Sequence, residues 1–121
     1  MRLFALRGAT SVERNDAQQI LDATSELMQA IGERNGLTSE NVVSCIFTVT
    51  NDLDAEFPAV AARGVGFDRV PLLCAREIPV PGSMERVIRV LIHYYADQDH
   101  RPMHVYLGAA KALRADLDAA Q

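Results

Sequence analysis

Apolar and polar residues along this chain alternate with two periods, and the period changes mark the elements. "VIRVLIHYY", Val87 to Tyr95, is almost entirely β-former. Strand side chains point to opposite faces in turn, so Ile88, Val90, Ile92 and Tyr94 share one face, and Val87, Arg89, Leu91 and His93 the other. Leu3–Arg7 repeats the pattern, with Arg7 on the face of Leu3 and Ala5, and Gly8 is read as its end. Both segments place an arginine on an otherwise apolar strand. A guanidinium is always charged, and burying one without a partner costs several kcal/mol, so each arginine needs an anion.

Between these strands the period lengthens to that of a helix. In "TSVERNDAQQILDATSELMQAIGERNG" the residues Ile20, Thr24, Leu27, Met28 and Ile31 form one stripe, with Gln18, Gln19, Asp22, Ser25, Glu26 and Gln29 opposite. Asn15 or Asp16 can cap its start, and Asn35-Gly36 supply the stop. "VVSCIFTVT" then reads as a half-buried strand, with Val43, Cys45, Phe47 and Val49 inside and Ser44, Thr48 and Thr50 outside. A short helix follows Pro58 and ends at Gly64 and Gly66. "RVPLLC" is a third strand, placed near an edge by Pro71, "IPVPGS" a rigid loop, and Val87–Tyr95 the fourth and longest strand. "ADQDHRPMH" is a loop, and "VYLGAAKALRADLDAAQ" passes from strand or turn into a weak helix, with residues 115–121 a flexible tail. The order β-α-β-α-β-β-tail predicts one α/β (α+β) domain over residues 1–121. Its helices cover one face of a mixed β-sheet. The other face, carrying Thr, Ser and Arg, must meet something else, and another subunit is the economical answer.

Composition narrows the partners. The 121 residues carry a net charge of −4, which argues against nucleic acid or an anionic membrane. No window approaches the roughly 18 apolar residues of a membrane span. The first residues, "MRLFALRGATSVERND", do not read as a secretory leader. Cys45 and Cys74 lie in unrelated contexts, which together with that N-terminus points to a reducing cytoplasm. The basic residues are eleven arginines and a single lysine, Lys111. Genome composition explains most of that bias, and bidentate recognition of carboxylate or phosphate is the sharper alternative.

The usual catalytic motifs are missing: no G-x-G-x-x-G after a strand, no phosphate loop, no G-x-S-x-G and no H-E-x-x-H. His100 and His104 have the spacing of helical zinc ligands, but Pro102 between them breaks the helix that would make the spacing meaningful, so no metal is expected. Cys74, near Glu77, reads more simply as a small hydrophobe than as a nucleophile. What remains is a set of carboxylate-recognising groups at strand ends: Arg7, Arg63, Arg89, Glu77, Tyr106 and Arg114. Glu77 is the one obvious acid for two in-strand arginines, and the surplus positive charge predicts a small dianionic ligand.

"LRGATSVERND", "TVTNDLDAEFPAVAAR", "RVPLLCAREIPVPGSMERVIRVL" and "HVYLGAAKALRADL" resemble, in order and spacing, the monofunctional α/β class of chorismate mutase, from about residue 3 to residue 118. The resemblance implies a homotrimer whose three sheets pack into a barrel-like core with the helices outside, a pseudo-α/β-barrel, and with active sites at the subunit interfaces. It implies the Claisen rearrangement of chorismate to prephenate, en route to phenylalanine and tyrosine, with no cofactor. On the family pattern Arg89 lies against the ether oxygen and one carboxylate, while Arg7 and Tyr106 bind carboxylate. Glu77 and the Cys74 position hold the ring hydroxyl and favour the positive charge developing on the allylic fragment. Phe57, Ala59, Arg63 and Leu73 line or close the cleft, and Arg114 helps cover it. Two positions depart from the pattern. Val60 falls where relatives can carry a lysine, and Leu73 where a threonine can occur, so affinity is expected to differ rather than activity to vanish. Two rival readings share the architecture or the ligand: a trimeric enamine/imine deaminase, and a non-catalytic binder of a small carboxylate.

Overall fold

The computed structural model describes residues 1–113. Helix α1, Ala17–Asn35, forms where the long period begins. Asp16 caps it, its carboxylate accepting the Gln19 N–H at 3.0 Å, and Gly36 closes it in the left-handed conformation at φ 63°. The predicted stripe of Ile20, Thr24, Leu27, Met28 and Ile31 is buried, and Asn35 joins it. Full burial of each large apolar member stabilises the fold by roughly 1.5–3 kcal/mol.

The stripe packs on a five-stranded sheet in the order β3-β2-β4-β1-β5, made of β1 (Arg2–Ser11), β2 (Val42–Val49), β3 (Leu72–Arg76), β4 (Val87–Ala96) and β5 (Val105–Tyr106). β4 is antiparallel to both β1 and β2, while β3 and β5 add in parallel at the two edges. The sheet is therefore mixed, the fold is α+β, and β3 holds the edge that Pro71 predicts. The Pro71 carbonyl, just before β3, accepts the Cys45 N–H inside β2 at 3.0 Å and opens the pairing of the two strands.

Four expectations are corrected. The first strand does not stop at Gly8: β1 continues to Ser11 and equals β4 at 10 residues, so β4 is not the longest alone. Gly8 is there for space, since a Cβ at this position would lie 2.6 Å from Cδ1 of Ile31. It lets α1 approach the strand, and a glycine of that kind does not interrupt a ladder. In β2 the pairing slips by one residue, Val42 opposing Tyr94 and Ser44 opposing His93. This bulge turns Val43 outward and brings Val42 into the core instead. Finally, of the two glycines expected to end helix α2, Pro58–Ala62, Gly64 does not: the chain runs on through a wide turn, Arg63–Phe67, in which Gly66, at φ 110°, breaks the helix as expected.

The core lies between the helices and one sheet face, with Phe4, Leu6, Phe47, Val90, Ile92 and Tyr94 among its buried residues. The opposite face is covered only at one end among the described residues, where the turn Gly108–Ala112 meets Ser11 and Ala9 and Val87 are buried; elsewhere it leaves Leu3, Leu73 and Tyr95 exposed. No helix among the described residues is long and apolar enough to cross a membrane.

Candidate active site

Residues directly opposed across neighbouring strands point to the same side of a sheet. The registers Ala75–Thr48–Arg89–Ala9–Tyr106 therefore make one row across all five strands, on the face opposite α1 and α2. The next row along is Leu73–Ile46–Leu91–Arg7. The alternation that buries Ile88 and Val90 under the helices is what aims Arg89 away from them.

Glu77 follows β3 and prolongs its pairing, its N–H donating to the Val49 carbonyl at 2.9 Å. Its Oε2 accepts the Thr48 hydroxyl and lies 3.7 Å from Nε of Arg89. The arginine side chain keeps 47% of its surface exposed, against 25% for the glutamate, so the pair adds only about 0.2–1 kcal/mol of stability. Its value is geometric: Glu77 holds the Nε edge of the guanidinium.

Arg7, Arg89 and Tyr106 surround a cavity of about 210 Å³ floored by Gly8, Ala9 and Leu91. The Arg7 backbone is tied at this rim, its N–H donating to Nδ1 of His104 at 3.0 Å. That bond requires the tautomer with an unprotonated Nδ1. His100 faces elsewhere, its Nε2 lying 2.7 Å from the Tyr94 hydroxyl, and no group of three or more metal-ligating side chains occurs among the described residues.

The chain matches the family model for chorismate mutase type I over residues 3–117. It is similar to the chorismate mutase AroH of Thermus thermophilus, 53% identical over 96% of this chain and 97% of that one. The chorismate mutase AroH of Bacillus subtilis is 39% identical, covering 97% of this chain and 94% of its own. Among solved structures, a chorismate mutase from Clostridium thermocellum superposes with a TM-score of 0.88 at 49% identity, over 91% of this chain and 99% of that one. This chain belongs to the chorismate mutase type I family.

Within one chain of this mutase family member, the residues expected at the site fall into two groups. Arg7, Arg89, Glu77 and Tyr106 come together on the face opposite α1 and α2, and Leu73 stands on that face at the sheet edge, exposed. Cys74 is not among them: it opposes Phe47 and so points to the helix side, where with Phe57 and Asp54 it lines a separate cavity of about 400 Å³. Phe57 is exposed at the start of α2, and Arg63 is exposed at its far end. The Ala59 side chain is buried in the core, its carbonyl accepting the Arg63 N–H. Val60 is exposed beside it. Arg114 and the tail 115–121 lie outside the described residues.

Thr48, on the polar side of β2, is a further member of the site that its own strand does not reveal. The signal that finds it is nonlocal: it opposes Arg89 across the β2–β4 pair. The second thiol, Cys45, is 1% exposed, and burial pushes its pKa up to about 12, so it stays protonated and inert.

Proposed function

We propose that this chain catalyses the rearrangement of chorismate to prephenate as a homotrimer, each active site combining the two groups of residues from adjacent subunits. The reaction is unimolecular. It asks the protein to hold the substrate in its compact shape and to stabilise charge as the ether C–O bond lengthens. Arg89 supplies that stabilisation at the ether oxygen, where negative charge develops, and an oriented donor of this kind is worth about 10²–10³ in kcat. Glu77, steadied by Thr48, sets the angle of Arg89 and faces the positive charge growing on the ring fragment. Arg7 and Tyr106 bind a carboxylate across the cavity. From the neighbouring subunit Phe57, Arg63, the Ala59 backbone and the Cys74 position close the cleft, with Arg114 of the tail and with Leu73, at the sheet-edge end of Arg7's row.

The observation that carries this reading is the Thr48–Glu77–Arg89 constellation, in one row with Tyr106 and one row from Arg7, on the sheet face opposite α1 and α2. The exposed apolar Leu3 and Tyr95 on that face support subunit contact. The test is loss of chorismate absorbance near neutral pH with EDTA present, product checked as prephenate, alongside the sedimentation mass. Saturable conversion by a particle of three chains is expected. A folded protein without turnover would reopen the deaminase and carboxylate-binder readings, and a monomer with full activity would end the shared-site arrangement.

A further inference from the structure

Arg86 is the one non-glycine residue among those described with a positive φ, 52°, a conformation an L side chain disfavours. It stands at the entry to β4, three residues before Arg89. Its own side chain does not explain the conformation: among the described residues the guanidinium reaches only the adjacent Glu85, at 3.1 Å. The backbone around it is held from three directions. The Arg86 N–H donates to both carboxylate oxygens of Asp52, at 3.2 and 3.0 Å. The Arg86 carbonyl accepts the Val12 N–H at 3.1 Å. The next amide, of Val87, donates to the Thr50 hydroxyl at 3.1 Å, and that hydroxyl donates in turn to Asp52 Oδ1 at 2.5 Å.

Thr50 also pairs with Val87 through its backbone, N–H to carbonyl at 3.1 Å, so the end of β2 and the start of β4 meet at this point. The segment between Glu77 and Arg89 is the Pro- and Gly-containing loop read as rigid from its sequence. Glu77, Asp52 and Arg89 line one cavity of about 460 Å³. Two groups that must face each other thus sit at the two ends of a loop, and Asp52 holds the turn by which that loop enters β4.

We propose that Asp52, with Thr50, is a positioning residue for Arg89: it locks Arg86 in the left-handed conformation and so sets the exit of the loop, which fixes where β4 begins and how Arg89 meets Glu77. This rests on the catalytic role given above to Arg89. A carboxylate suits the task because it accepts a single N–H with both oxygens while taking a hydroxyl hydrogen as well. Loss of the clamp should loosen an interaction used most in the transition state, and so lower kcat more than it raises KM.

The experiment compares the parent protein with D52A, D52N and the double variant D52A/R86G, reading kcat, KM and amide exchange. Glycine accepts φ 52° without strain, so it replaces what the clamp does by force. D52A is expected to lower kcat about tenfold or more with KM within about threefold, and the double variant to return kcat to within about threefold of the parent. A folded D52A with kcat within about twofold of the parent overturns the proposal, as does a double variant no faster than D52A. If D52A does not fold, D52N takes its place, with a smaller loss that R86G must again relieve; a D52N/R86G protein no faster than D52N overturns it. Amide exchange judges the clamp without turnover: Arg86 and Val87 should be protected in the parent and exposed in D52A or D52N, with Leu27 in α1 unchanged. A parent inactive on chorismate refutes the function, whereas an unprotected Arg86 amide in the parent refutes the clamp.

Discussion

The face of the sheet under α1 and α2 carries Phe47, Val90, Ile92 and Tyr94, all nearly or wholly buried, while the opposite face of the same strands carries Thr48, Arg89, Leu91 and His93, none of them fully buried. One face is satisfied within the chain by apolar packing, where position follows from filling space. The other is organised by a few directed polar contacts, Thr48 to Glu77 and Glu77 to Arg89, beside a cavity lined by Arg7 and Arg89. The lesson is that a single strand can do both jobs, because alternation keeps them separate: Val90 serves stability and its neighbour Arg89 is left to the chemistry proposed for it. A substitution on one face should leave the other property nearly untouched.

The largest effect belongs to the covered face. Leu27→Ala should lower unfolding free energy by about 2–5 kcal/mol in urea titration, since the cavity it leaves is closed by strands on one side and helix on the other. Its folded fraction should keep parental turnover. On the other face Arg89→Ala should lower kcat by at least ~10²-fold. Its stability should change by no more than about 1 kcal/mol, because the arginine is half-exposed. Near-normal turnover would remove Arg89 from its assigned role, and a large stability loss would break the division between the faces.

A smaller effect should come from Thr48→Val, which preserves shape and removes the donor to Glu77. A roughly three- to tenfold loss in kcat with stability within about 1 kcal/mol of the parent is expected, because the lost bond acts on Arg89 only through Glu77. The smallest is a pH effect from the covered face. The Cys45 thiol is raised from 9.0 to about 12 by burial, so its contribution is complete below pH 9 and is lost as pH climbs toward 12. Unfolding free energy should fall by about 1 kcal/mol between pH 8 and pH 10 on its account. Burial also raises the Tyr94 phenol, which acts in the same direction. Urea titrations of Cys45→Val isolate the cysteine: an identical pH slope in that variant would mean that the thiol contributes nothing.

Much of the fold was legible because its determinants are local. The stripe from Ile20 to Ile31, the Asp16 cap and the Gly36 stop each act within a few residues, and alternation in Val87–Tyr95 was enough to separate Arg89 from the core. The misreadings share a cause, too. Gly8 ends a strand by propensity, but here its missing Cβ makes room for Ile31, a residue 23 positions away in α1. Val43 follows the alternation of its own strand, and only pairing with β4 reveals the bulge that turns it out. Thr48 looked like any polar residue on an open strand face until it was opposed to Arg89.

The sequence by itself determined where α1 and the main strands lie, which side of β4 is apolar, and that Arg7 and Arg89 point away from the core with anions to find. Those properties follow from backbone periodicity and from the cost of burying charge, both of which act residue by residue. The tertiary structure alone decided which strands are neighbours, that Tyr106, Arg89 and Thr48 align in one row, that Cys74 turns to the helix side, and that Asp52 meets the backbone of Arg86. The reason is physical: strand order and register come from pairing and packing between segments distant in sequence, and no local preference encodes which partner a strand will take.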